Sequence, residues 1–357
     1  MEGLRVSVLY YEDRDTAVVE HDEVVEEVAG ALSAAGHQPV LLSVYDDLRE
    51  LVDKLAEQKP DLVFNLCETF AGRDANEGNV TAALVLLGQR FTGTGPVGMA
   101  LRQDKAITKK LLQFHDVACP KFAIFDTENL EFAGKMRFPV FVKPMRGDAS
   151  VGVHDSSLVR NYDSLIERVD FIHKDLQDAA LVEEYIEGRE FYVGVLGNDP
   201  AEALPIIEMD FSKLPQGYPH IYGWEAKFDH ASRQFESVNA IVATDLAPET
   251  RHRITSSALG AVYALQVRDY ARVDIRLAQD GMPYVIEVNA NPYLERTSAF
   301  AIAALQAGMG YNTLINRIVQ IAWKCSEQSG PLKGLACTLP PSPRTRPESE
   351  PAGQLPG

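Results

Sequence analysis

Apolar positions in the first hundred residues switch between two periods. Residues 4–10 (LRVSVLY) make a short apolar run, which predicts a buried strand. Residues 21–36 (HDEVVEEVAGALSAAG) put Val24, Val25, Val28 and Leu32 on one helical face. Gly36 then stands where a helix C-cap belongs. Residues 39–44 read as a second strand, 47–58 as a helix and 61–66 (DLVFNL) as a third strand. A β-α-β-α-β order predicts a parallel sheet with helices on its faces, a first domain over residues 1–97.

The pattern then changes. Residues 104–114 predict a helix, 119–125 a strand, and 138–144 (FPVFVKP) a buried strand ending in a lysine. Residues 146–152 (RGDASVG) are small, as in a loop over a ligand. Strands follow at 180–186, 189–197 and 203–209, and a long helix at 249–266, an α+β order with antiparallel hairpins. In residues 326–357, 7 of 32 are proline, a segment that cannot bury a core and is expected to be disordered.

Residues 271–292 (ARVDIRLAQDGMPYVIEVNANP) carry the sharpest chemical signal. With Asp280-Gly281 as a two-residue hairpin turn, Asp274 faces Glu287 and Arg272 faces Asn289, all on one side of the sheet. Val273 then faces Val288 and Ile275 faces Ile286, on a wholly apolar side that belongs to the core. Facing carboxylates sit roughly 5 Å apart at Cβ and repel. A divalent cation such as Mg²⁺ or Mn²⁺, shared with substrate phosphates, offsets that repulsion. The plainer alternative is a solvated polar face neutralised by Arg272 and water.

Lys143, at the tip of a buried strand before a glycine-containing loop, suits a phosphate contact, with loop N–H groups (Gly147 to Gly152) adding donors. A snorkelling strand-end lysine is its plainer reading. No GxxxxGK[ST] or GxGxxG run is present. Glu183 and Glu184 precede Tyr185-Ile186, where backbone groups between domains suit an adenine edge.

Composition narrows the field. The 357 residues are 46% hydrophobic and 24% charged, with a net charge of -17, which disfavours a nucleic-acid partner. No apolar run reaches the ~18 residues of a membrane helix, and the N-terminus enters a strand directly rather than through a signal peptide. The four cysteines (Cys67, Cys119, Cys325, Cys337) form no CxxC pair, which argues against a zinc site or a disulfide framework and fits a reducing cytoplasm. A nucleophilic Cys67 is the weaker alternative to a buried, inert thiol.

Taken in order, DKAITKKLL (104–112), FPVFVKP (138–144), LVEEYIEGREFYVGVLGN (181–198), WEAKF (224–228), ARVDIRL (271–277), EVNANP (287–292) and AGMGY (307–311) resemble the ATP-grasp superfamily, specifically the D-alanine–D-alanine ligase-like group. The resemblance covers residues 4–325. It implies an α/β (α+β) fold of three subdomains, the parallel domain at 1–97 and two α+β subdomains at 98–186 and 187–325 that clamp ATP. It further implies an ADP-forming ligase that joins a carboxylate to an amine through an acyl phosphate. Lys105, Lys143 and Lys227 match lysines that contact ATP phosphates; Glu183, Glu184 and Ile186 match the adenine-binding linker; Glu190 matches the acid that holds the ribose. Asp274, Glu287 and Asn289 match the Mg²⁺ ligands. Arg272 matches the arginine that steadies the acyl phosphate and oxyanion, and Ser298 a hydroxyl that binds the acceptor's carboxylate. The implied partners are small carboxylates and amines, with a homodimer left open.

The pattern departs from the group around the amino-acid substrates. The Gly-Gly-x-Ser-x-Glu setting after the first strand is here Tyr10-Tyr11-Glu12-Asp13-Arg14. The catalytic-loop serine falls at Ala149, with Ser150 adjacent; the tyrosine after the mobile-loop lysine is Phe228; Pro-Gly after the metal motif is Pro292-Tyr293. These changes speak against D-alanyl-D-alanine as product and leave amino-acid or peptide ligation as the leading expectation, with Glu12, Asp13 or Glu68 as candidate holders of an amino group and Tyr293 reshaping the acceptor site. Rival expectations are a D-alanine–D-alanine ligase proper, a non-amino-acid acceptor, a nucleotide-binding homologue without catalysis, and a dehydrogenase, the last disfavoured by the missing glycine fingerprint.

Overall fold

The computed structural model describes residues 3–15, 22–126, 130–132, 136–146, 152–229 and 231–329. The chain begins β1 (Arg5–Tyr11), α1 (Glu23–Ala34), β2 (Gln38–Val44), α2 (Leu48–Gln58), β3 (Leu62–Asn65), α3 (Glu77–Leu86) and α4 (Pro96–Gln103). The three strands pair in parallel in the order β2-β1-β3. Period-2 alternation splits them between two cores. Val6 and Val8 face the Val24/Val25/Val28/Leu32 stripe of α1, while Leu9, Leu42 and Val63 pack on Leu51 and Leu55 of α2. Asp22 caps α1 by accepting from Val24 N–H, and Gly36 takes φ +83 just beyond its end, a left-handed conformation that glycine adopts without strain.

A second unit holds α5 (Lys105–Phe114), β4 (Phe122–Phe125), β5 (Leu130–Phe132), β6 (Val140–Pro144), β7 (Leu158–Val159), α6 (Tyr162–Asp175) and β8 (Ala180–Glu184). Its antiparallel sheet runs β5-β4-β8-β6-β7, with α6 packing Leu165, Val169 and Ile172 beneath it. The third unit holds β9 (Gly188–Leu196), β10 (Glu202–Ala203), β11 (Ile207–Asp210), α7 (Trp224–Phe228), α8 (Arg233–Ser237), β12 (Asn239–Val242), α9 (Pro248–Ala264), β13 (Tyr270–Ala278), β14 (Pro283–Asn289), α10 (Ala299–Gln306) and α11 (Tyr311–Ser329). Its antiparallel sheet runs β12-β11-β9-β13-β14, with β10 added to β9. Helix α9 covers one face; α10 and α11 join the other face to the core of α1 and the first sheet.

Three boundaries move. The strand expected at 119–125 begins at Phe122, the one expected at 203–209 is two short strands, and α11 continues to Ser329, past the boundary drawn at 325. The rest of the proline-rich tail lies outside the described residues.

The hairpin carries a more instructive difference. Its connection is a three-residue loop, Gln279-Asp280-Gly281, closed by Ala278 N–H donating to Met282 O at 3.0 Å, with Gly281 at φ +78. Leu277 therefore faces Pro283 and Ile275 faces Val285, one residue off the expected register. A bulge between Asp274 and Ile275 restores it, so Asp274 faces Glu287 and Arg272 faces Asn289 as expected. The extra residue is Ile286. It does not pair with Ile275 in the core but joins Glu287 in lining the cleft described next.

Candidate active site

The second and third sheets enclose a cleft with about 800 Å³ of free space, open to solvent on one side. All seven residues expected to hold the nucleotide line it: Lys105, Lys143, Glu183, Glu184, Ile186, Glu190 and Lys227, and Asp274 and Glu287 line it too. The lining combines apolar groups, Phe141, Ile186, Ile221, Ile286 and the ring of Tyr222, with the lysines and carboxylates.

Lys143 and Glu183 sit on one face of the β6–β8 ladder, where Phe141 opposes Glu183 and Lys143 opposes Leu181. The Glu183 carboxylate meets Lys143 Nζ at 2.8 Å and Lys109 Nζ at 2.6 Å, and all three side chains are almost wholly buried. Burial pushes the Glu183 carboxyl up, but the two ammonium groups outweigh it and hold it at about 2. Burial likewise pushes Lys143 down, and Glu183, then Glu287 and Asp274, more than compensate. The Glu183 side chain is thus the counter-ion of both lysines; the adenine-edge expectation concerned the backbone groups of this segment. Lys109, four residues after Lys105 on α5, was missed, although that spacing places both on one helix face.

Lys105 is the first residue of α5, whose N-terminus is capped by Asp104 accepting from Ala106 and Ile107 N–H. The Lys105 N–H donates to Met145 O at 3.3 Å, which ties this helix start to the end of β6. Its Nζ lies 3.6 Å from Glu287 Oε1. Lys227, from short helix α7, reaches within 5.3 Å of the Tyr222 ring centre. Burial, then the Arg272 charge, pushes its ammonium below the ordinary lysine range.

Asp274 accepts from Arg272 at 2.7 and 3.0 Å and from Asn289 Nδ2 at 3.3 Å. Burial pushes its carboxyl up, Arg272 opposes, and facing Glu287 adds to the rise. The donor set suits a hard divalent cation. Two carboxylates and the Asn289 amide would supply oxygen ligands, and bound phosphates would complete such a shell. Among the described residues no cluster of three His, Cys, Asp or Glu could hold a metal without such help. Arg272 lies over the Tyr192 ring at 4.4 Å.

Arg276, the next residue on the face of Arg272 and Asp274, was also missed, though period-2 alternation points to it. It grips Glu190 Oε2 at 2.7 and 3.0 Å, donates to Tyr185 Oη at 3.0 Å and meets the His220 carbonyl. It thus bolts the segment joining the second and third sheets to Glu190. Arg276→Met, which leaves the half-buried Glu190 without its partner, is expected to cost about 3 kcal/mol of stability, read as a lower urea midpoint at unchanged slope.

Other expectations divide. Ser150 lies outside the described residues, as do Ala149 and the side chain of Phe228. Ser298 caps α10, its Oγ accepting from Ala301 N–H at 3.2 Å. Glu12 does not line the cleft; its carboxylate lies 3.4 Å from Arg14 Nε. Tyr293 lines a second cavity and donates to Asp22 Oδ1 at 2.6 Å. Cys67 is a buried free thiol that donates to Thr69 O, and burial pushes it up to about 12, so it is protonated and poorly nucleophilic at neutral pH. No helix among the described residues is long and apolar enough to cross a membrane.

Two sheets that clasp a cleft lined by apolar groups, lysines and a facing pair of carboxylates define a nucleotide-grasping enzyme. The profile described as D-ala D-ala ligase C-terminus matches residues 111–320. The uncharacterized protein y4sG of Sinorhizobium fredii is 35% identical over 84% of this chain and 87% of its own length. The D-alanine–D-alanine ligase of Aquifex aeolicus is 30% identical over 82% of this chain and 92% of its own. A solved D-alanine–D-alanine ligase from Bacillus anthracis, complexed with ATP, shares the fold at TM-score 0.71 and 23% identity, over 92% of this chain and 100% of that one. The chain belongs to the D-alanine–D-alanine ligase family, and it is an ADP-forming ATP-grasp ligase of that kind.

Proposed function

We propose that the chain phosphorylates the carboxylate of an amino acid or peptide and passes the acyl group to an amine, making an amide other than D-alanyl-D-alanine. The observation that carries this reading is one cleft in which Lys105, Lys143 and Lys227 surround the facing pair Asp274 and Glu287. The apolar part of the lining suits the base of ATP, and the lysines suit its phosphates. Asp274, Glu287 and Asn289 would hold Mg²⁺, which would supply charge neutralisation during phosphoryl transfer.

The chain's own groups do the rest. Lys143, held by Glu183, and Lys105 draw charge off the γ-phosphate as the substrate carboxylate attacks it in line, releasing ADP and leaving an acyl phosphate. The amine then adds to the acyl carbon. Arg272 stabilises the oxyanion, and phosphate departs as the amide forms.

Against D-alanyl-D-alanine stand Tyr10-Tyr11-Glu12 at the end of β1 and Tyr293 after the metal motif, departures from the family's glycine-containing pattern at both places. The test is an ADP-release screen with paired amino acids and mass spectrometry of products. We expect ADP to form with a pair other than D-alanine with D-alanine, together with a dehydrated conjugate. ADP formation confined to D-alanine overturns the substrate reading, and background ADP with every pair favours a non-catalytic homologue.

A further inference from the structure

Tyr192 lines the ATP cleft, and the reaction described above makes no use of it. It sits on β9 two residues after Glu190 and directly opposite Asp274 of β13, so its side chain rises from the same face of the sheet as both. The ring belongs to the core shared with α10 and α11 and is only 4% exposed.

Two cations meet this aromatic patch. Arg272 lies over the Tyr192 ring, and that ring packs against Tyr222 with centres 6.2 Å apart and planes at 67°. Tyr222 carries Lys227 at 5.3 Å from its own ring centre. Ring faces attract cations, so the two tyrosines hold Arg272 and Lys227 near each other despite their like charge. An anion is drawn to such a place. Asp274, across the ladder from Tyr192, is also one of the facing pair with Glu287, so the patch borders the candidate cation ligands.

The Tyr192 hydroxyl is uncommitted. It makes no hydrogen bond to any described residue, and it is not sealed away from the cleft. Packing does not require it, since phenylalanine has the same ring. A polar group on so buried a side chain is unfavourable unless something in the cleft accepts its bond. A phenol is a neutral donor at pH 7 and suits an anionic oxygen.

We infer that Tyr192 is a further catalytic residue, whose hydroxyl donates a hydrogen bond to an oxygen of the phosphoryl group as that group passes from ATP to the substrate carboxylate. The phenol keeps its proton throughout. Its bond strengthens as charge gathers on the phosphoryl oxygens, so it favours the transfer over the bound ground state. The ring beneath Arg272 meanwhile holds that guanidinium for the oxyanion of the second step.

The inference rests on the ligase reading, so its test has a binding arm and a turnover arm. In the first, calorimetry with the full chain measures ADP and Mg²⁺ with and without aluminium fluoride, a mimic of the phosphoryl group in transfer. Tyr192→Phe keeps the ring under Arg272 and loses only the hydroxyl. It is expected to weaken the aluminium fluoride complex at least ~10-fold, the scale of a hydrogen bond to a charged acceptor, with the affinity for ADP alone within ~2-fold of wild type. Its melting temperature is expected to match wild type, because the hydroxyl bonds nothing in the fold. Tyr192→Leu, which also removes the ring, is expected to lose more. The inference is overturned by a Tyr192→Phe variant that binds the fluoride complex as wild type does, that loses affinity for ADP to the same extent, or that melts clearly lower. It is overturned too by a wild-type chain that gains nothing from aluminium fluoride. In the second arm Tyr192→Phe is expected to lower kcat for ADP release at least ~10-fold with the ATP KM within ~2-fold. Selective weakening of the fluoride complex, in a chain whose wild type releases no ADP, keeps the Tyr192 contact and removes the ligase reading. ADP release at an unchanged kcat in Tyr192→Phe removes the contact and keeps that reading.

Discussion

Glu287→Gln is expected to lower kcat roughly 10³-fold, the scale for losing a preorganised electrostatic contact to phosphoryl transfer. The fold should survive. Glu287 faces Asp274 across the ladder, and the pair repels: Glu287 is one of the groups that raise the Asp274 carboxyl. Removing one charge relieves that repulsion, so the melting temperature without metal should hold or rise slightly. What should vanish is the added stability from Mg²⁺ with nucleotide, which wild type gains by mass action. The checks are a steady-state ADP assay and thermal melts with and without Mg²⁺ and an ATP analogue. A variant that turns over near the wild-type rate would remove the metal assignment.

Glu183→Ala is expected to produce the largest loss of stability, about 3–5 kcal/mol. The side chains of Glu183, Lys109 and Lys143 are 3%, 1% and 6% exposed, so neither lysine can turn to water when the carboxylate goes. Two buried ammonium groups would then repel with no counter-ion. If the variant folds, the ATP KM should rise, since Lys143 loses the group that aims it. Glu183→Gln should fall between, because it keeps the shape and loses the charge. The pH dependence has a definite sign. The folded-state carboxyl sits at about 2 against 4.5 ordinarily, so its stabilisation is complete above pH 4.5 and drains away as pH falls toward 2. Urea midpoints measured across that window should fall more steeply for wild type than for Glu183→Gln.

The stretches whose period the sequence declares came through with small errors. The Val24/Val25/Val28/Leu32 stripe is buried as a unit, and the β-α-β-α-β order produced the parallel sheet. The facing of Asp274 and Glu287 held for a less direct reason: the turn has one more residue than Asp280-Gly281 suggests, and the bulge at Ile286 restores the register. Neither step is visible in the pattern, because Ile286 reads as core in an apolar alternation.

Local chemistry is what the sequence by itself determined: which segments form strands and helices, which residues are candidates to hold phosphate and a cation, and which substrate-side residues depart from the family. Those follow from side-chain period and type, which short windows contain. Only tertiary structure decided who meets whom. It gave Glu183 two lysines from different elements, joined Arg276 to Glu190 across 86 positions, and opened the acidic, aromatic cavity between β1, β3 and the segment after β14. Such contacts depend on how sheets stack and where a bulge falls, and burial then sets the charge state of each group, a balance no short window of sequence carries.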